Sequence, residues 1–129
     1  MAPPESVPRI QAIEELATEA AKLGESGCPL LLQLGSEKCA KCPAFTEAVA
    51  ALAEEYAFGW RYCDAHEDND ILETEGITQL PAVVVVFHDQ FCRTRRAAQG
   101  ANAAELRELV QSMCARKVPT NVNLFDADF

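Results

Sequence analysis

The chain is short of positive charge. Eleven Lys and Arg stand against 20 Asp and Glu, a formal net charge of −9 over 129 residues. A surface of that sign repels phosphate, which argues against general binding to nucleic acid or to an anionic membrane. Long hydrophobic runs are missing as well. The longest, residues 80–87, contains Pro81 and falls far short of the roughly 20 apolar residues that span a bilayer. The N-terminus, MAPPESVP, has no basic start and no apolar stretch, so no signal peptide is expected. There is no internal repeat and no long low-complexity segment. Large apolar side chains are a modest set, because 21 of the hydrophobic residues are alanines, which favour helices.

What remains fits one domain, long enough to bury a core without covalent staples. Residues 1–6 read as a Pro-rich flexible lead-in, 7–117 as the domain and 118–129 as an extended tail. Residues 7–10 suit a short strand. Ile13, Leu16, Ala17, Ala20 and Leu23 recur at helical spacing up to Gly24. Residues 28–34 form a continuous apolar run of strand length, as in a strand buried on both faces. After a turn at 35–42, a helix over about 40–57 presents Phe45, Val49, Leu52, Ala53 and Tyr56 on one face. Residues 59–64 read as a strand, and the acidic stretch 64–75 as a loop leading into a short solvated helix that ends near Gly76. Four consecutive valines mark a strand over 82–87, followed by a turn at 88–90 and a return strand over 91–97. Asn102 and Glu105 make a capping box for a last helix through Leu106, Leu109, Val110 and Met113, stopped by Pro119. The arrangement is an α/β fold: a central mixed β-sheet flanked by helices on both faces.

Six cysteines occur, at 28, 39, 42, 63, 92 and 114. Without a signal peptide they suit a reducing, cytoplasmic setting better than three structural disulfides. Only Cys39 and Cys42 are close together, and they fall where a buried strand gives way to a helix. Cys39 is expected at the helix N-cap or first turn, where unpaired N–H groups and the helix dipole favour a thiolate. Lys38 and Lys41 add two cations. Cys42, one turn on, can attack a mixed disulfide on Cys39 and release the reduced product. Pro43 is tolerated in the first turn. Two other readings stand beside this one. Zinc would need a second CxxC or a CxxH, and the chain has neither; its two histidines, His66 and His88, stand apart. The pair could also be inert and buried. Thr78-Gln79-Leu80-Pro81 precedes the valine strand, and the Leu80–Pro81 bond is either an ordinary trans bond at a strand start or a cis bond facing the cysteines. The cis form would let the Leu80 backbone pair with an extended substrate. Cys28, Cys63, Cys92 and Cys114 suit packing roles. The acids of 64–75 and the cluster Arg93, Arg95, Arg96 suit solvated faces.

Across roughly residues 7–115 the chain resembles thioredoxin. The resemblance rests on the apolar strand before Cys39, the CxxC, ALAEEY at 51–56, Asp64, GITQLPAVVVVF at 76–87 and Gly100. It implies a thioredoxin-like fold, cis-Pro81, a Cys39 nucleophile, a resolving Cys42 and no cofactor beyond the redox-active Cys39–Cys42 disulfide. It implies an upstream reductase as partner. The chain departs from the family pattern at several positions. Lys38 replaces a Trp, Ala40-Lys41 replaces Gly-Pro, and Glu47 replaces a helix-kinking proline. Gln33 stands where the family carries a buried Asp thought to shuttle protons to the resolving cysteine. Glutaredoxin motifs are absent, so glutathione is not implied. An altered potential and substrate preference are expected.

The tail 118–129 keeps Val122, Leu124, Phe125 and Phe129, which gain nothing in water. Aromatics alternating with Asp126, Asp128 and a terminal carboxylate suit a short docking peptide. The terminal Asp126-Ala127-Asp128-Phe129 resembles the end of the small subunit of eukaryotic-type class I ribonucleotide reductase. There this peptide docks onto the large subunit, whose disulfide is re-reduced at each turnover by proteins of the thioredoxin type. The expected partner is therefore that large subunit, with Leu124 through Phe129 as the docking residues. Two rivals are a general thioredoxin with an idle tail and a non-catalytic adaptor that competes for subunit docking.

Overall fold

All six residues of β1 (Leu30–Gly35) are buried, so this strand must be covered on both faces. The computed structural model describes residues 7–36, 41–64, 70–88, 93–99 and 103–117. In it β1 is an inner strand of a four-stranded sheet of order β2-β1-β3-β4. β2 (Gly59–Asp64) runs parallel to β1, with Leu31 opposite Trp60 and Gln33 opposite Tyr62. β3 (Ala82–His88) runs antiparallel on the other side, with Leu34 opposite Ala82, and β4 (Arg93–Gln99) is antiparallel to β3. The helices are α1 (Ile13–Glu25), α2 (Cys42–Glu55), α3 (Asp70–Glu75) and α4 (Ala103–Met113).

The period of two along the strands divides the apolar residues between two cores. Leu30, Leu32, Leu34, Val84 and Val86 pack with Leu16 and Ala20 of α1 and Ile71 of α3. Leu31, Val83 and Val85 pack with Phe45, Val49 and Leu52 of α2 and with Leu106, Leu109 and Val110 of α4. Each large side chain removed from water in this way contributes about 1.5–3 kcal/mol before entropy is counted. The expected mixed sheet with helices on both faces is what forms.

Local boundaries differ from the sequence reading where long-range pairing decides them. Gly24 does not end α1; it is buried within it. The left-handed residue is Gly27, at φ +74, and the Cys28 N–H returns to the Leu23 carbonyl at 3.0 Å to close the helix end. Residues 7–10 make no full strand. They form a single bridge, Arg9 to Tyr62, with the Ile10 N–H donating to the Tyr62 carbonyl at 2.9 Å and the Tyr62 N–H to the Pro8 carbonyl at 3.0 Å. Pro8 has no N–H with which to extend the ladder. α2 is shorter than 40–57, and β4 reaches Gln99, two residues past the expected end of the strand over 91–97. α3 is not wholly solvated, since Ile71 is fully buried. The expected cap at Asn102, Gly100, and the lead-in 1–6 lie outside the described residues, as do the side chains of Arg93, Arg95 and Arg96.

α1 has Ala12 at its N-cap, which offers no capping oxygen. Two carboxylates do this instead. Asp70 Oδ1 accepts from the Ile13 N–H at 3.2 Å, and Glu15 Oε1 accepts from the N–H groups of Gln11 and Ala12 at 3.0 and 3.1 Å. Asp70→Ala is therefore expected to destabilise the fold by about 1 kcal/mol, as loss of a cap does. Urea unfolding should show a lower midpoint at unchanged m-value, and an unchanged midpoint would count against the cap.

Candidate functional site

α2 follows β1 across the short connection that carries the cysteine motif. Its N-cap is Lys41 and Cys42 is its first residue, with Pro43 next, where a missing N–H leaves no bond unmade. The expectation that Cys39 itself occupies the N-cap or first turn is thus corrected: the helix starts later, and its first-turn N–H groups bear first on Cys42. No acidic residue sits in that turn to offset the positive end of the dipole. Cys42 is buried and disulfide-bonded. Lys41 is exposed. Lys38, Cys39 and Ala40 lie outside the described residues.

Gly35 at the end of β1 lets the sulfur approach the sheet. A Cβ at this position would stand 3.0 Å from Cys42 Sγ and 3.0 Å from the Tyr62 hydroxyl oxygen. Leu34 is opposite Ala82, so Gly35 and Pro81 leave the pairing at the same end of the sheet. The Leu80–Pro81 peptide bond is cis. Pro81 is buried, and Leu80 packs against the first core.

Gln33, in the middle of β1, is fully buried. Its amide is used at both ends. The Trp60 indole N–H donates to Gln33 Oε1 at 3.0 Å, and Gln33 Nε2 donates to Thr46 Oγ1 at 2.8 Å. Thr46 is buried one helical turn after Cys42. The position thus links β2, β1 and α2 through neutral groups, and none of its atoms titrates near neutral pH. Sequence reading identified Gln33 but missed Trp60, Thr46, Gly35 and Tyr62. The alternation of strand residues could have placed Trp60 and Tyr62 on one face of β2; the register that sets them beside Gln33 and Gly35 was not available from pattern alone.

Cys28, Cys63 and Cys114 are not disulfide-bonded. Cys63 belongs to the first core and Cys114 to the second. Cys92 lies outside the described residues. Burial raises the Cys28 thiol, partly opposed by a hydrogen bond from the Gly59 backbone and by Arg61. Burial, with a smaller push from Cys28, lifts Cys114 from 9.0 to about 11. The sign follows: the folded state holds this proton more tightly than the unfolded chain, so the stability it contributes is full below pH 9.0 and lost as pH rises through about 11. Cys114→Val is expected to flatten the fall in thermal midpoint across that window, and an identical fall in both proteins would contradict the assignment.

Among the described residues, no group of three or more His, Cys, Asp and Glu is placed to hold a metal ion. No helix among them is long and apolar enough to cross a membrane.

Compared with models of known protein families and with curated proteins, the sequence matches none. Its structure does match solved structures. It resembles a mutant thioredoxin from Halobacterium salinarum with a TM-score of 0.64 and 20% identity, over 92% of this chain and 99% of that one. Thioredoxin from Malassezia sympodialis gives 0.65 at 16% identity, over 88% and 95%. Spinach chloroplast thioredoxin f gives 0.63 at 20% identity, over 83% and 92%. The fold is thioredoxin-like.

Proposed function

We propose that the chain is a protein thiol–disulfide oxidoreductase that works through Cys39 and Cys42. The observation that carries this reading is a disulfide-bonded Cys42 at the first position of a helix that follows a buried strand, in a thioredoxin-like fold. The Cys39 thiolate attacks one sulfur of a substrate disulfide, forming a mixed disulfide and expelling the first substrate sulfur as a thiolate. Cys42 then loses its proton and attacks Cys39 Sγ. The Cys39–Cys42 bond forms, the mixed disulfide breaks, and the second substrate sulfur leaves with that proton. Two electrons have passed to the substrate, and an upstream reductase returns them. Leu80, before cis-Pro81, offers its backbone to an extended substrate beside the cysteines. Lys38 and Lys41 favour the thiolate.

The substrate we propose is the large subunit of class I ribonucleotide reductase, reached through the tail. Leu124, Phe125, Asp126, Ala127, Asp128 and Phe129 lie outside the described residues; what supports docking is their likeness to the small subunit's C-terminus. A tether of this kind raises the local concentration of Cys39 to about the millimolar range. Removing residues 118–129 is expected to leave insulin reduction intact and to slow re-reduction of the large subunit by about tenfold or more. Equal rates with and without the tail would instead support a general reductase. A synthetic peptide of residues 123–129 that fails to bind the large subunit would refute the docking.

A further inference from the structure

The acid that relays a proton to the resolving cysteine in thioredoxins is replaced here by Gln33, whose amide is committed to Trp60 and Thr46. A polar side chain that faces the same space beside Gly35 as the Cys42 sulfur comes from β2. The Tyr62 hydroxyl oxygen and Cys42 Sγ both lie 3.0 Å from the point where a Cβ on Gly35 would stand, so the absence of a side chain at Gly35 leaves both groups facing one space. Tyr62 is buried and held from several sides. Its N–H and carbonyl bond Pro8 and Ile10, its backbone pairs with Gln33 of β1, and the Arg9 guanidinium covers its ring at 4.9 Å. Arg9 is itself anchored to the Val7 carbonyl at 2.9 Å. A phenol fixed in this way can donate its O–H to a thiolate at little entropic cost, and the cation on its ring strengthens that donation. Among the described residues, charged groups at this end of the sheet include Lys41, at the N-cap of α2, and Asp64, opposite Gly35 in register.

We propose that Tyr62 is the positioning residue for the resolving sulfur: its hydroxyl donates a hydrogen bond to the Cys42 thiolate and orients it toward Cys39. This rests on the thiol–disulfide reading given above. In the resolving step the Cys42 proton ends on the departing substrate sulfur. The phenol keeps its own proton and lowers the free energy of the thiolate that forms on the way. When the upstream reductase opens the Cys39–Cys42 bond, the same hydrogen bond steadies Cys42 as the sulfur that leaves.

The test is Tyr62→Phe, which removes one oxygen from a buried ring and keeps its packing. In the full-length chain carrying Cys39→Ser, fully reduced, the rate of Cys42 alkylation is followed against pH by peptide mass spectrometry. The midpoint is expected to rise by about one pH unit in Tyr62→Phe, the loss of one hydrogen bond to a charged sulfur. Tyr56→Phe, which removes a buried phenol oxygen from the far end of α2, is expected to leave it in place. With Cys39 present, Tyr62→Phe should form the mixed disulfide at the parent rate and resolve it about tenfold more slowly. Superimposable alkylation profiles for Tyr62→Phe and its parent overturn the inference whatever the activity. So does an equal shift in Tyr56→Phe, which would mark a general effect on folding. If no form of the protein reduces a disulfide but the Tyr62→Phe shift is present, the proposed function fails and the Tyr62–Cys42 coupling stands.

Discussion

Replacing Cys39 with serine is expected to abolish disulfide reduction, lowering the insulin-reduction rate by about a thousandfold or more, as loss of a covalent nucleophile does. Serine keeps the size of the side chain. At neutral pH its hydroxyl is not ionised and does not attack sulfur. Cys42→Ser should fail differently. The first attack still proceeds, so a substrate becomes attached to Cys39, but nothing expels it and turnover stops after one event. The contrast between no adduct and a stable adduct assigns the two roles. Four further cysteines make this comparison necessary, because a thiol count alone would not distinguish the working pair from thiols buried in the cores.

Gln33→Leu is expected to destabilise the fold by about 2–4 kcal/mol, although leucine is apolar and the site is fully buried. The reason lies in what it abandons. The Trp60 indole N–H loses its acceptor and the Thr46 hydroxyl loses its donor, in a layer between β2, β1 and α2 where water does not substitute well. Trp60→Phe removes one of those groups, so the double variant should be less destabilised than the sum of the two singles by about 1 kcal/mol. Trp60 is the chain's single tryptophan, so its fluorescence reports on this bond directly. A Gln33→Leu protein with the parent's unfolding midpoint and emission maximum would show that the amide holds nothing together. Gln33 thus leaves no gap at this position. The amide there is a structural link between β2, β1 and α2.

Much of the architecture was legible because burial leaves a local trace. Residues 28–34 read as a strand covered on both faces, and the leucines of β1 divide between the two cores. The four valines of β3 and the periodic apolar face of α2 were equally plain. Turn glycines were less so. Gly24 reads as the helix stop, whereas the reversal into β1 places the positive φ at Gly27. The parts of the site missed from sequence depend on pairings between distant residues. Asp70 caps a helix 57 residues before it, and no local pattern predicts that. Trp60 meets Gln33, and Tyr62 meets the space above Gly35, because β2 lies parallel to β1 in one particular register. A slip of one residue would have turned both rings to the opposite face. The start of α2 at Cys42 was also out of reach, since propensity blurs helix ends by a residue or two.

The central claim is that Cys39 and Cys42 form one redox couple, and equilibration with dithiothreitol redox buffers tests it most directly. The full-length chain is brought to equilibrium across a series of potentials, quenched with an alkylating agent and mapped by peptide mass spectrometry. The account predicts that Cys39 and Cys42 lose and gain alkylation together in a single two-electron transition, linked to each other in the oxidised form, while Cys28, Cys63 and Cys114 remain thiols throughout. A Cys42 bonded to any other cysteine, or two thiols that titrate independently, would contradict it.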